Sequence, residues 1–484
     1  MLHFKAIFKT IAILVLITSL FMLLPAGIAL YCGEMPAFKS FLISIAGSAL
    51  LCGSCLFFTR KYKNDIFSTR DGFLFVTMSW FTVSLMGTFP YFLSGAIPDF
   101  TNAFFETISG FSSTGATILN DIESLPKSIL FWRSLTNWIG GMGIVVLTVA
   151  VFPLLGIGGL QLIKAEAPGP TVDRITPRIT ETAKILWIIY IAFTAAETIL
   201  LLFGGMSLFD ALTHTFGTIS SGGFSPKDSS IGYYHSAYIE CVVIVFMFLS
   251  GVNFALPYRL AAGKSLMVFR DTELRAYIII LLTASLLIFI NKLGPGDSIF
   301  NTARTAIFHV TAILTTTGFN TTDYEKWPYF SQMVLFSLFF IGACSGSTSG
   351  GIKIIRIITL LKQALNEIKL LLHPRGVFIL KIGNNVVKKN IVYAIAGFFF
   401  LYIFTAIVLT FIVASSGEDI FTSFSAVLSA QGCIGPAFGA AGPSGCYVYF
   451  ADYVKWTLSF AMIIGRLELY TVLVLLTPGF WKKY

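Results

Sequence analysis

The sequence predicts an all-α polytopic membrane protein, with two N-terminal transmembrane helices and four pseudo-repeats around one pore, and three observations carry that prediction. Hydrophobic residues make up 56% of the 484-residue chain and charged residues only 12%, at a mean hydropathy of +0.81. A soluble domain would carry about 25% charged residues. Apolar runs of the length that crosses hydrocarbon some 30 Å thick recur along the chain. Four hydroxyl-rich runs end on glycine, at Gly115, Gly222, Gly318 and Gly435, and these lie 107, 96 and 117 residues apart. Near-regular spacing of that kind is the mark of an internal repeat.

Two spans come first, at 8–31 and 37–58. Lys5 and Lys9 before the run from Ile11 to Tyr31 resemble a signal peptide. The run is longer than a typical h-region and a second follows at once, so an uncleaved span is expected. One pattern then repeats four times: a long apolar helix, a segment too short to cross, a Gly loop and a second long helix. Its parts fall at 71–95, 100–112, 113–117 and 128–155, then at 181–204, 207–219, 220–224 and 234–260. The third set falls at 274–293, 297–314, 315–319 and 329–372, and the fourth at 388–414, 418–430, 431–436 and 452–477. Ten crossings and four re-entrant segments follow, arranged as an N-terminal two-helix unit (1–70) and repeats at 71–165, 166–265, 266–380 and 381–484.

The re-entrant segments open alike, at Asp99-Phe100, Leu208-Phe209-Asp210, Ser298-Ile299-Phe300 and Asp419-Ile420-Phe421. Side-chain oxygens there are placed to cap free backbone N–H groups. About 12 residues of helix span only about 18 Å, so such a segment must enter and return on one side. The stretch 329–372 is about twice what one crossing needs, and Gly342 to Lys353 in its middle is dense in Gly and Ser. Those residues break a helix, and unwound backbone at membrane depth is tolerated only where protein buries it or water reaches it. A segment lining a pore is the expectation.

Charge supplies an independent check. Of the 33 Lys and Arg residues, 24 lie at the N-terminus, after the second span, between repeats and at the C-terminus. With ten crossings all of these fall on one side, the cytoplasm by the positive-inside rule, so both termini are internal and the Gly loops are approached from outside. The formal charge of +9 is mostly explained by this bias, and nucleic acid is not an expected partner. The seven cysteines show no metal-ligand spacing. Cys433 and Cys446 flank the fourth loop on the outer side, where a disulfide is permitted. No Walker loop or nucleophile–base pair appears, so an enzyme is not expected.

A desolvated cation needs a ring of oxygens, and backbone carbonyls supply one without fixed charge. Glycine allows the required dihedrals, Ser and Thr brace the loop from behind, and a short helix aims its partially negative C-terminus at the ion. Inverted repeats with a midplane site would give repeats of opposite topology, whereas these four share one.

With these features the chain resembles the TrkH/TrkG/KtrB superfamily of cation transporters, and the TrkH/TrkG branch in particular. Two extra N-terminal spans, the segment Gly342-Ala343-Cys344-Ser345-Gly346-Ser347-Thr348-Ser349-Gly350-Gly351-Ile352-Lys353 and the ending Ile464-Gly465-Arg466-Leu467-Glu468 carry the resemblance. It implies potassium uptake across a bacterial inner membrane, a homodimer among membrane lipid, and a TrkA-like cytoplasmic subunit that binds the nucleotide. Potassium would be the substrate and this chain would hold no cofactor. Sodium- or proton-coupled symport of a monovalent cation stays open as the alternative.

The resemblance places the filter at Ser113, Thr114, Gly115 and Ala116; at Ser220, Ser221, Gly222 and Gly223; at Thr316, Thr317, Gly318 and Phe319; and at Cys433, Ile434, Gly435 and Pro436. Glycine rather than serine at the first key position, here Gly115, goes with potassium preference. The fourth loop departs from the family's Asn-x-Gly-Pro-Gly, which implies looser selectivity. The gate would be Gly342, Ala343, Cys344, Ser345, Gly346, Ser347, Thr348, Ser349, Gly350, Gly351 and Lys353, together with Arg466. An arginine near the bilayer centre costs about 2.5–3.5 kcal/mol on insertion scales, so Arg466 is expected to face a wet cavity or a partner. Pairing with Glu468 at i,i+2 is geometrically poor. Lys353 reads equally as an interfacial anchor. Arg356, Lys362 and Lys369 on the next helix suit headgroups or a cytosolic partner. His214 and His309 are expected to be packed or hydrogen-bonded.

Overall fold

The computed structural model describes residues 2–60, 68–143, 179–261, 263, 270–296, 298–383 and 385–482. Helices α1 (Phe4–Phe21) and α2 (Leu23–Cys32) run on as one span, followed by α3 (Met35–Thr59). The first repeat holds α4 (Thr69–Ser94), α5 (Phe100–Phe111) and α6 (Lys127–Gly141). The second holds α7 (Ile179–Phe203), α8 (Leu208–Ile219), α9 (Ala237–Gly251) and α10 (Ala255–Ala261). The third holds α11 (Thr272–Lys292), α12 (Ile299–Leu314), α13 (Tyr329–Leu338) and α14 (Ile354–Leu372). The last holds α15 (Lys389–Ala414), α16 (Ile420–Gly432), α17 (Asp452–Arg466), α18 (Leu469–Leu473) and α19 (Pro478–Trp481). A two-stranded hairpin, β1 (Lys381–Ile382) against β2 (Asn385–Val386), is an addition to the expected all-α pattern.

Six described helices are long and apolar enough to cross a membrane, or seven if the bent pair α17 and 469–476 counts as one. They include the N-terminal spans and the first helix of every repeat. In the second and fourth repeats the second helix departs from the sequence expectation of one continuous rod, and in the third, where a break over 342–353 is expected, it ends a little earlier. It stops at Gly251 in the second repeat, at Leu338 in the third, and bends by 116° after Arg466 in the fourth. In the first repeat α6 ends at Gly141, and the expected continuation over 144–155 lies outside the described residues. The break after Gly251 falls in a run of serine, glycine and asparagine, where the backbone leaves the helix readily, whereas those after Leu338 and Arg466 fall at bulky or charged residues.

The short helices lie within two residues of the bounds expected for the short apolar segments. Asp99, Ser207 and Asp419 accept hydrogen bonds from the N–H groups of Asn102, Asp210 and Thr422, as capping residues should. Ser298 makes no such side-chain bond. Each short helix packs inside its own repeat and against the second helix of the preceding one: α8 against α6, and α12 against α9. Rings of Phe336 on α13 and Phe421 on α16 meet at 5.3 Å, and α5 closes the circle against α17. The outer faces of α3, α11 and α15 carry exposed Leu51, Ile279, Leu282, Phe400 and Phe411, a surface suited to lipid tails.

Inside this apolar shell sits a fully buried ion pair, Arg133 Nε to Glu106 Oε1 at 2.6 Å, with side chains 2% and 0% exposed. Breaking a buried pair from one side strands a charge, at a cost of about 3–5 kcal/mol. Arg133→Met is therefore expected to lower the unfolding temperature in detergent, and adding Glu106→Gln to restore part of it. Tryptophan fluorescence during heating measures both, and equal losses in the single and double variants would show that the pair is not the source.

Candidate functional site

The short helices bring the four Gly loops together at the centre of the ring. In each loop a non-glycine residue takes a left-handed backbone: Ser113 (φ 54), Ser221 (φ 55), Thr316 (φ 58) and Cys433 (φ 55). Two residues later stands a glycine of positive φ, at Gly115, Gly223, Gly318 and Gly435. The repeated geometry sets a register that differs in one loop from the sequence expectation. Gly223, not Gly222, is the counterpart of Gly115, and Ser220 drops out of the equivalent set as the C-cap of α8.

These glycines are required by contact between loops. A Cβ on Gly115 would collide with the Gly222 carbonyl, one on Gly223 with that of Thr317, and one on Gly318 with that of Ile434. The circle closes where Gly435 meets the carbonyl of Thr114. One carbonyl from the same position of each loop thus lies against the glycine of the loop before it. The ring forms the floor of a cavity of about 180 Å³, whose walls include Asn120, Lys227, Asp228 and Tyr447. At its rim burial works against the Lys227 charge, but the Glu123 carboxylate 3.0 Å away, together with Asp210 and Tyr233, more than offsets it, and the ammonium pKa lies above the ordinary value.

Behind the ring, a polar side chain in each short helix holds the strand that leaves the loop. Glu106 accepts from Thr117 Oγ1 (3.0 Å) and the Ile118 N–H (2.9 Å), while Arg133 donates to the Ser225 carbonyl at 2.8 Å. His214 bonds Ser225 Oγ at 3.1 Å, His309 bonds the Thr322 carbonyl at 3.0 Å, and Ser425 accepts from the Phe438 N–H at 3.1 Å. Tyr447 and Tyr324 donate to the carbonyls of Gly435 and Ala437 at 2.8 and 2.7 Å. The histidines are hydrogen-bonded, as expected. Glu106 and Arg133 were not singled out in the sequence, although a charge inside an apolar segment is the signal for such a role.

Beneath the ring runs an unwound segment, 339–353, beginning three residues before the expected Gly342 because Phe339 and Phe340 already leave the helix. Its Gly350 N–H donates to Thr316 Oγ1 at 2.8 Å, and Thr348 Oγ1 lies 2.8 Å from Ser221 Oγ. Lys353 Nζ donates to the carbonyl of Ser349. Arg466, at the bend after α17, donates to the Thr348 carbonyl (2.7 Å) and to those of Gly140 (2.7 Å) and Gly141 (2.9 Å). Glu468 pairs instead with Arg356 on α14. The Cys433–Cys446 disulfide is not formed: Cys433 is buried at the C-cap of α16, and Cys446 Sγ lies 2.7 Å from Asn120 Oδ1.

Fold and ring together define a class: a multi-pass helical membrane protein whose centre is built from backbone oxygens rather than from catalytic side chains. The chain belongs to the TrkH family of cation transport proteins, whose pattern residues 38–483 match. It is 40% identical over 492 residues to the Trk system potassium uptake protein TrkH of Salmonella typhimurium, covering 99% of this chain and 100% of that one. It is 36% identical over 486 residues to the Trk system potassium uptake protein TrkG of Escherichia coli, covering 99% of each. The crystal structure of the potassium transporter TrkH from Vibrio parahaemolyticus superposes with a TM-score of 0.88 at 37% identity, covering 99% of this chain and all of that one.

The loop register is open to direct test. Gly223→Ala places a Cβ against backbone at positive φ and is expected to cut rubidium flux in proteoliposomes by about tenfold or more. Gly222→Ala meets the yielding side chain of Asn137 and should cost less. The reverse order would favour the register read from sequence.

Proposed function

We propose that this chain takes up potassium across the cytoplasmic membrane of a bacterium, with both termini inside. The observation that carries this reading is the closed ring in which the carbonyls of Thr114, Gly222, Thr317 and Ile434 lie against Gly435, Gly115, Gly223 and Gly318. Carbonyl oxygens replace the hydration shell of a cation without binding it irreversibly. The C-termini of α5, α8, α12 and α16 end at the ring and add a negative potential there. All four positions at which one loop presses on the carbonyl of the next are glycine (Gly115, Gly223, Gly318 and Gly435), which suits potassium preference, and the names of the relatives agree. An inside-negative potential supplies about 2.3 kcal/mol per 100 mV for each ion, so inward flux needs no catalytic centre in this chain.

On this reading 339–353 is the gate and Arg466 its lock. The segment lies under the second and third loops, and Arg466 ties it to the end of α6 while adding a positive charge below the ring. A cation would meet that charge until the segment and Arg466 move. The amphipathic α14 leaves the gate with Lys362 and Lys369 on it and exposed Leu361, Leu365 and Ile368. Such a helix suits contact with a second copy of the chain and with a nucleotide-binding cytoplasmic subunit of the TrkA kind.

Rubidium uptake into proteoliposomes holding the chain alone tests the reading. Saturable uptake that follows a potassium gradient, is poorly competed by sodium and rises in Arg466→Ala is the expected result. Uptake driven equally by a sodium or proton gradient would replace it with coupled symport.

A further inference from the structure

Glu273 stands in the first turn of α11, buried, and takes no part in the ring or in the contacts of Arg466. Its Oε1 accepts two backbone hydrogen bonds, from the Ser345 N–H at 2.8 Å and from the Ile355 N–H at 3.0 Å. Those two donors are ten residues apart and bracket the glycine- and serine-rich part of the unwound segment. One carboxylate oxygen therefore gathers both ends of the loop onto a membrane-spanning helix.

The second donor gives this contact a direction. Ile355 lies in the first turn of α14, where N–H groups have no partner within the helix, and Lys353 at the N-cap offers no side-chain bond. Glu273 thus caps α14 from outside, with negative charge at a helix N-terminus, a favourable placement. In the same turn Arg356 pairs with Glu468, two residues past Arg466. The start of α14 is consequently held by two carboxylates, one on α11 and one at the bend that carries Arg466. Displacing α14 along or away from α11 cannot leave the Glu273 bonds intact.

Resting on the reading of 339–353 as a gate, we propose that Glu273 is its latch: a positioning residue that keeps the loop under the ring and transmits movement of α14 to it. Charge-assisted hydrogen bonds are about twice as strong as neutral ones, so the latch favours the closed loop and a partner acting on α14 must break it to open the path.

Rubidium flux through the purified full-length chain in proteoliposomes tests this, alongside the alkylation rate of Cys344 read by peptide mass spectrometry on the chain with its cysteines intact. Cys344 is 1% exposed and adjoins Ser345, so it reports the loop itself. Glu273→Ala is expected to raise partner-free flux about tenfold and to speed Cys344 alkylation by a similar factor. Glu273→Gln, which keeps an acceptor oxygen in place, should reverse most of both effects; a residue needed only for folding would not give that pattern. Should Glu273→Ala fail to fold, Glu273→Asp draws the oxygen back by one methylene, and higher flux and alkylation than in Glu273→Gln are expected. Arg466→Ala serves as the control for the gate. If it raises flux while the Glu273 variants change neither readout, or lower flux, the latch is wrong and the gate stands. If neither Arg466→Ala nor Glu273→Ala moves flux, the gate itself is wrong and the latch falls with it.

Discussion

The structure depends on one constraint: four stretches of unwound backbone meet at membrane depth, where each N–H must find an acceptor in protein or water and each C=O a donor or a passing cation. The glycines of the ring answer it by letting each loop press onto the carbonyl of the next, with Gly435 returning to Thr114. A side chain at any of the four positions would force neighbouring loops apart and open the circle. The short helices, their caps and their packing against the preceding repeat all follow from the need to deliver four loop tips to one point.

Holding the loops from behind requires polar groups in an apolar shell, and the chain uses a different one each time. Glu106, His214 and His309 sit seven residues before Ser113, Ser221 and Thr316, and each reaches the strand leaving its loop. Ser425 performs the same task one residue further back, in keeping with the extra residue of helix before Cys433. The carboxylate at the first position requires a counter-charge, which explains the arginine at 133; the imidazoles and the hydroxyl do not. That asymmetry makes the first and second loops mechanically joined, since Arg133 also holds Ser225 and stacks on Phe224 at 3.7 Å.

Most of the architecture was legible in the sequence because length, hydropathy and capping are local. The short helices came within two residues of their observed bounds, from Asp99 and Asp419 caps and from runs too short to cross. The second loop slipped because Ser220-Ser221-Gly222-Gly223 offers two glycines in a row, and only contact with Thr317 of another repeat selects the second. The second helices of the second and fourth repeats read as continuous because hydropathy does not see a break that tertiary contacts impose, as at Gly251 and Arg466, whereas the glycine- and serine-rich run 342–353 marks the break in the third. Glu273 and Glu106 stayed hidden for a related reason: their partners lie at distances along the chain that no periodicity links.

Arg466 shows how these separate contacts become one device. Its helix stops at the arginine and turns through 116°, so the guanidinium stands at a corner instead of along a span. From that corner it bonds carbonyls of the third repeat's loop and of the first repeat's α6, while Glu468 just beyond grips α14 through Arg356. Glu468 itself takes a left-handed backbone (φ 58), a conformation that non-glycine residues adopt only when their surroundings hold it. The corner therefore stores strain that its polar contacts offset. Loosening α14 weakens the Arg356 contact, relaxes the turn at Glu468 and shifts the arginine two residues before it. Three repeats are joined through that single bend, so movement of α14 has a direct mechanical route to the carbonyls under the ring.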